Sequence, residues 1–161
     1  MATMRAARFN QDAQALTVRD VPLPNLTPLD VLVRVQACGI CLSDVHLIDG
    51  TLPSLIPEVT PGHEAAGYVE RVGDLVRGWL PGDRVVLAGG RPCLGCRNCV
   101  RGRFEECWNP QVMGFGYDGA WAEYVAVPGT ALAEVPEHVP IEQAAILADA
   151  VATPYAALTD R

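Results

Sequence analysis

Residues 93–107 read CLGCRNCVRGRFEEC, and this stretch constrains the fold more than any other. Its spacing is C-x2-C-x2-C-x7-C. Short C-x2-C steps let the backbone turn and aim successive sulfurs at one point, and Gly95 and Gly102 ease that turning. Zinc takes four ligands in a tetrahedron, and thiolate is a good soft ligand for it. Cys93, Cys96, Cys99 and Cys107 are therefore expected to hold one Zn²⁺. A closed four-sulfur site leaves no position for a substrate, so that zinc is structural. Four thiolates around Zn²⁺ carry net negative charge, which Arg91, Arg97, Arg101 and Arg103 are placed to offset. An iron–sulfur cluster shares the ligand type but usually follows other spacings. A zinc ribbon gripping nucleic acid is the other alternative. The net charge of −7 and the lack of interleaved aromatic and basic residues speak against it.

The two remaining cysteines are Cys38 and Cys41. Six cysteines in a chain whose first residues, MATMRAARFNQ, lack the apolar core of a signal peptide point to metal or catalysis rather than disulfides. The expected location is cytoplasmic. No 18-residue apolar run exists, so a membrane is not an expected partner, and the net charge of −7 argues against nucleic acid. A chain of 161 residues, half of them hydrophobic, makes one domain able to bury its own core.

Short apolar stretches broken by Gly and Pro fill the first 140 residues. MRAARF, ALTVRDV, DVLVRVQA, EAAGYVERVG, GDRVVLAGG, AWAEYVAV and ALAEVP read as strands. In DVLVRVQA, Val31, Val33 and Val35 alternate with Asp30, Leu32 and Arg34, which suits one buried face. The class is mainly β, a barrel or sandwich with short helices. From Pro140 onward, PIEQAAILADAVATPYAALTDR is rich in Ala and Leu and predicts helix, with Pro at a first helical position. Pro154 is expected to interrupt it.

GFGYDG, residues 114–119, spells the G-x-G-x-x-G of dinucleotide-binding turns. That fingerprint needs a strand before it and a helix after it. Here NPQVM precedes, and AWAEYVAV, with no helical stripe, follows. Glu134 sits 20 residues beyond Gly114, a match that comes cheaply in a chain with 19 acids. The stretch is read as a glycine loop entering a strand.

Three further segments are rich in metal-capable residues: ACGICLSDVH at 37–46, PGHEAAG at 61–67 and LADAVATPYAAL at 147–158. Together they offer Cys41, His63, Glu64 and Asp149 as ligands, with Ser43 and His46 close by in sequence. Three protein ligands and an open position make a catalytic zinc. Read singly, each residue also has a bland role: Cys41 as buried core, His63 and Glu64 as a loop hydrogen-bonding pair, His46 as a surface or capping residue, Asp149 as a solvated helix residue.

Taken in order, these motifs resemble the zinc-dependent medium-chain alcohol dehydrogenases, over essentially the whole chain. GICLSDVH looks like the segment with the first catalytic ligand, Cys41, and PGHEAAG like that with His63 as second ligand and Glu64 as an exchanging ligand or a group behind it. PGDRV at 81–85 and DGAWAEYVAV at 118–127 look like barrel strands, and the four cysteines match the structural zinc lobe. LADAVATPYAAL looks like the segment with the third ligand, here Asp149, and Thr153 falls where the family sets a threonine against the nicotinamide ring. The resemblance implies a GroES-like β-barrel catalytic domain over 1–161, with a zinc lobe at about 90–110 and a connector helix at about 140–161. It implies two zincs per chain, NAD or NADP, a small-molecule alcohol or aldehyde substrate, and proton transfer from Ser43 by way of the cofactor ribose to His46. A homo-oligomer fits the family. Leu42 departs from it, standing where many members carry a basic residue or His near the cofactor phosphate. The family's Rossmann domain is not within these 161 residues, so a zinc-binding barrel module without catalysis, or a truncated remnant lacking the cofactor domain, is the rival reading.

Overall fold

The computed structural model describes residues 2–159. Two long strands, β1 (Thr3–Asn10) and β2 (Ala15–Pro22), form a hairpin, with Phe9 opposite Leu16. The third, β3 (Asp30–Cys38), feeds helix α1 (Leu42–Ile48). The short β4 (Glu58–Val59) pairs with the end of β1. Then come β5 (Ala65–Val72), β6 (Arg84–Leu87), the two-residue β7 (Gly90–Arg91) and β8 (Gln111–Val112), β9 (Tyr124–Pro128) and β10 (Leu132–Glu134).

The main sheet is antiparallel, in the order β10-β6-β5-β3-β9, and a smaller one runs β2-β1-β4. The two are stitched together just before β9. The Ala7 N–H donates to the Trp121 carbonyl at 2.8 Å, and the Glu123 N–H donates to the Arg5 carbonyl at 3.1 Å. The combined sheet curls around Val31, Val33, Val69, Val85, Leu87 and Val127, all buried. This is the barrel expected from the sequence, and it is mainly strand with short helices.

Three local expectations change. The segment at 120–127 is regular strand only from Tyr124; before that it meets β1 in a single bridge, Ala6 to Ala122. In β3 both faces are buried at the start, because Leu32 and Asp30 are covered as fully as Val31 and Val33. Asp30 tolerates this because the Thr27 N–H donates to it at 3.2 Å and the Arg91 guanidinium lies 3.4 Å away.

The third change concerns the C-terminal helix. It does break, but not at Pro154. A helical turn α2 (Ile141–Ala144) tightens into 3₁₀ geometry over Ala145–Ala148, the chain turns at 149–151, and α3 (Ala152–Thr159) follows. Pro154 lies in the first turn of α3, where an N–H would have no helical partner anyway. The break belongs to Asp149, at φ −133° and ψ −61°. Ile141, Ala144 and Ala145 pack on Ala66 and Val135, clamping this segment to the sheet, whereas α3 buries no residue. Asp160 and Arg161, the end of the expected connector, lie outside the described residues. Among those described, no helix is long and apolar enough to cross a membrane.

Candidate metal centres

The four-cysteine lobe forms as its spacing predicts. The sulfurs of Cys93, Cys96, Cys99 and Cys107 all lie within 4.8 Å of one another, with Cys96 and Cys99 3.5 Å apart. Gly102, at φ +77°, ends the 3₁₀ turn Cys99–Arg101 in the left-handed region and sends the chain back toward Cys107. A residue the sequence reading passed over fixes the turn. Asn98 is buried; its amide N–H donates to the Glu106 carbonyl at 2.7 Å, and its oxygen accepts from Arg103 at 2.7 Å.

The expected arginine shield is only partly available. Arg91 is turned to Asp30 and stacked 4.7 Å over the Tyr117 ring, and Arg103 is paired with Glu106 at 3.1 Å. Backbone amides supply positive polarity instead. The Cys93 N–H donates to the Cys107 sulfur at 3.2 Å and the Asn109 N–H to the same sulfur at 3.4 Å. Amides of Trp108 and Cys99 pull the Cys96 thiol down to about 6, whereas burial pushes Cys99 up to about 12.

The second cluster is assembled by sheet pairing. Cys38 at the end of β3 stands opposite Ala65 at the start of β5, so the residues just beyond each strand meet. Cys41 caps α1 on one side, and His63 precedes β5 on the other. The turn at 149–151 then delivers Asp149. Ligand atoms of Cys41, His63 and Asp149 lie within 4.8 Å of one another. Cys41 Sγ is 3.5 Å from Asp149 Oδ2, and His63 Nε2 is 3.5 Å from the same oxygen. A thiolate, an imidazole and a carboxylate at this separation fit a tetrahedral zinc with one position open.

Asp44 organises the cluster, and no local sequence pattern marks it. Its carboxylate is fully buried. It accepts from the Cys41 N–H at 2.9 Å and the Gly62 N–H at 3.1 Å, and lies 3.4 Å from His63 Nδ1. One side chain thus ties both ligand-bearing loops together and orients the imidazole so that Nε2 faces the other ligands. Burial opposes a charge on His63, but the hydrogen bond and charge of Asp44, then those of Cys41, outweigh it and raise the ring to about 9. The Thr153 hydroxyl donates to Asp149 and, against the effect of burial and with help from Cys41 and His63, holds its carboxyl below the usual range.

Gly62 shows why this loop needs glycine. It sits at φ +93°, and a Cβ there would fall 2.3 Å from the Trp121 ring. Ser43 is also drawn in, its Oγ 3.3 Å from His63 Nε2. Glu64 and His46 are not part of the cluster. Glu64 is buried with its carboxylate folded onto Gly39, and the Gly39 N–H donates to its carbonyl at 2.8 Å. His46 is half-buried on α1, 3.6 Å from Asp49. Cys38 is a half-buried thiol packed against the core, and burial, with the nearby Asp44 charge, pushes its pKa up to about 12. GFGYDG forms a turn closed by a bridge from Met113 to Tyr117, with Gly114 at φ +82°, and no helix follows it.

The cluster opens onto a cleft of about 600 Å³, lined by Ser43, Leu52, Leu55, Val112, Phe115 and Thr153 among others. A curled antiparallel sheet that carries a closed four-sulfur lobe and an open three-ligand cluster on a cleft defines the zinc-binding catalytic domain of medium-chain dehydrogenases. The chain belongs to the alcohol dehydrogenase GroES-like domain family, whose profile matches residues 27–137. It is 39% identical over 134 residues to an NAD-dependent alcohol dehydrogenase of Sulfurisphaera tokodaii, a match covering 78% of this chain and 38% of the relative. It is 40% identical over 129 residues to an L-threonine 3-dehydrogenase of Symbiobacterium thermophilum, covering 78% and 37%. The fold superposes on acetophenone reductase from Geotrichum candidum, solved in complex with NAD, with a TM-score of 0.86 and 33% identity, over 98% of this chain and 47% of that one. The chain spans less than half the length of these relatives.

Proposed function

We propose that residues 1–161 form the catalytic domain of a zinc-dependent NAD(P) oxidoreductase acting on small-molecule alcohols and aldehydes. The observation that carries this reading is the convergence of Cys41, His63 and Asp149 beside an open cleft. When bound, zinc supplies a Lewis acid that lowers the pKa of an alcohol hydroxyl, and a nicotinamide supplies the hydride acceptor.

The chain's own residues do the rest. Cys41, His63 and Asp149 hold the metal, and Asp44 fixes the imidazole from behind. With His63 Nε2 committed to the metal, the Ser43 hydroxyl is free to take the substrate's proton. His46, beside Asp49 at the end of the same helix, would be the residue that receives that proton. Thr153 lines the cleft and would face the nicotinamide ring of a bound cofactor. Glu64, whose carboxylate is folded onto Gly39, would have to swing away from it to exchange into the ligand set. The lobe at about 90–110 takes the second, structural zinc, and the segment at about 140–161 connects to the cofactor-binding domain. The wholly exposed α3 supports that connector role and a homo-oligomeric enzyme. Reduced thiolate ligands suit a cytoplasmic protein.

The test is alcohol-dependent reduction of NAD or NADP by the zinc-loaded chain, alone and joined to the cofactor-binding domain of a relative. Turnover that Cys41→Ser abolishes is expected. A chimera that holds both zincs and binds NADH, yet oxidises no alcohol, would establish the non-catalytic barrel instead.

A further inference from the structure

From the lining of the cleft we infer its substrate class: uncharged alcohols and their carbonyl partners on an apolar carbon skeleton, and not hydroxy amino acids such as L-threonine. The inference rests on the proposed reading of the cleft as the substrate site, and it separates this chain from its L-threonine 3-dehydrogenase relatives.

The walls carry the argument. Leu52, Leu55, Val112 and Phe115 face a space of about 600 Å³, a volume suited to a small organic molecule. These side chains sit on backbone that is already fixed. The Leu52 N–H donates to the His46 carbonyl, the Leu55 N–H donates to the Phe115 carbonyl, and Ser54 Oγ donates to that same carbonyl. Phe115 packs with Phe9, Leu47 and Val59, and its ring centroid lies 6.1 Å from that of His63. Leu55 is nevertheless 69% exposed, apolar surface that a ligand skeleton would cover.

Charge gives the negative half. Among the described residues that line the cleft, the ionisable ones are His63 and Asp149, both assigned to the metal. An amino-acid substrate brings an ammonium and a carboxylate, and each needs a partner once water is excluded. The nearest basic candidate in sequence, Arg91 beside Gly90, is already held by Asp30 and the Tyr117 ring. The site therefore meets a zwitterion with no free counter-charge on this side, and meets an alkyl or aryl skeleton with four apolar side chains.

Fluorine NMR titration of a fluorinated phenylethanol into the zinc-loaded chain tests this, because it reads weak binding without turnover. Butanol, hexanol, octanol and L-threonine then compete for the probe. Competition is expected to strengthen roughly two- to threefold per added methylene, with L-threonine failing to compete where butanol does. Leu55→Ser alters an exposed position, so its circular dichroism should be unchanged. It is expected to weaken octanol roughly fivefold and butanol less. Absence of probe binding, affinity independent of chain length, or displacement by L-threonine at butanol's concentration overturns the inference. Zinc content of the same sample keeps the two readings apart. Chain-length dependence without zinc at Cys41 would sink the metal reading and leave the substrate class, whereas zinc at Cys41 with no chain-length dependence would do the reverse.

Discussion

Cys41 Sγ and Asp149 Oδ2 stand 3.5 Å apart although they lie 108 positions apart in the chain. The contact closes the candidate catalytic cluster, and the segment that leads to Asp149 is clamped to the sheet through Ile141, Ala144 and Ala145. The two clusters therefore have different dependence on the fold. The four-sulfur lobe is local, and the three-ligand cluster exists only when β3, β5 and the C-terminal segment are docked.

That difference predicts separable metals. The purified chain is expected to hold two zincs by elemental analysis. Cys41→Ser should remove one and leave both the fold and the lobe zinc in place, since Cys41 contributes no core packing. Cys99→Ser should remove the other and loosen residues 93–107, because four short-range ligands are most of what holds that lobe together. Loss of both zincs on Cys41→Ser would show that the sites are not independent.

Asp44→Asn is expected to cost about 2–4 kcal/mol in urea denaturation, far more than an average substitution. The amide cannot accept from the Cys41 and Gly62 amides on two oxygens, and it turns a donor pair toward buried donors. The same change should weaken zinc at Cys41 and His63 by about 10- to 100-fold through misorientation of the imidazole. A variant with wild-type stability and affinity would remove Asp44 from its organising role.

How much of this was legible in the sequence follows from the range of the interactions. The lobe was, because four sulfurs within fifteen residues must converge whatever the rest of the chain does. The strands were, apart from their ends, because their alternation reports a curled sheet. Cys41, His63 and Asp149 were visible as a resemblance, but their meeting depends on the Cys38–Ala65 register, which no local pattern specifies. Asp44 and Asn98 were not visible. A buried polar residue is defined by its distant partners, and in sequence each looks like a surface residue beside a motif. The helix break was misplaced because proline is costly only inside a helix, and Pro154 falls in a first turn.

Tyr117→Phe is expected to raise stability by about 1 kcal/mol. Its hydroxyl is buried with no hydrogen-bond partner among the described residues, so deleting the oxygen removes a desolvation cost and leaves the contact with Arg91. Burial also pushes the Tyr117 pKa up to about 12. The unfolded chain loses this proton near pH 10. The native state therefore binds more protons between about pH 10 and 12, and its stability falls as pH rises through that window. Urea melts at rising alkaline pH should show a shallower fall in the Phe variant than in the parent.

Zinc binding should release a proton from His63. In the metal-free fold Asp44 and Cys41 hold the ring charged up to about pH 9, well above its unfolded value near 6.5. For folding without metal, that contribution is complete below pH 6.5 and is lost as pH rises toward 9. For metal binding the sense is opposite, because the ring must lose its proton to offer Nε2, so affinity should climb with pH until about 9. Calorimetric titration of zinc into the metal-free chain at pH 7.5, in buffers of different ionisation enthalpy, measures the protons released. His63→Ala should lower that number by about one relative to the parent. An unchanged number would mean that His63 is already neutral before the metal arrives, and that Asp44 orients the ring without charging it.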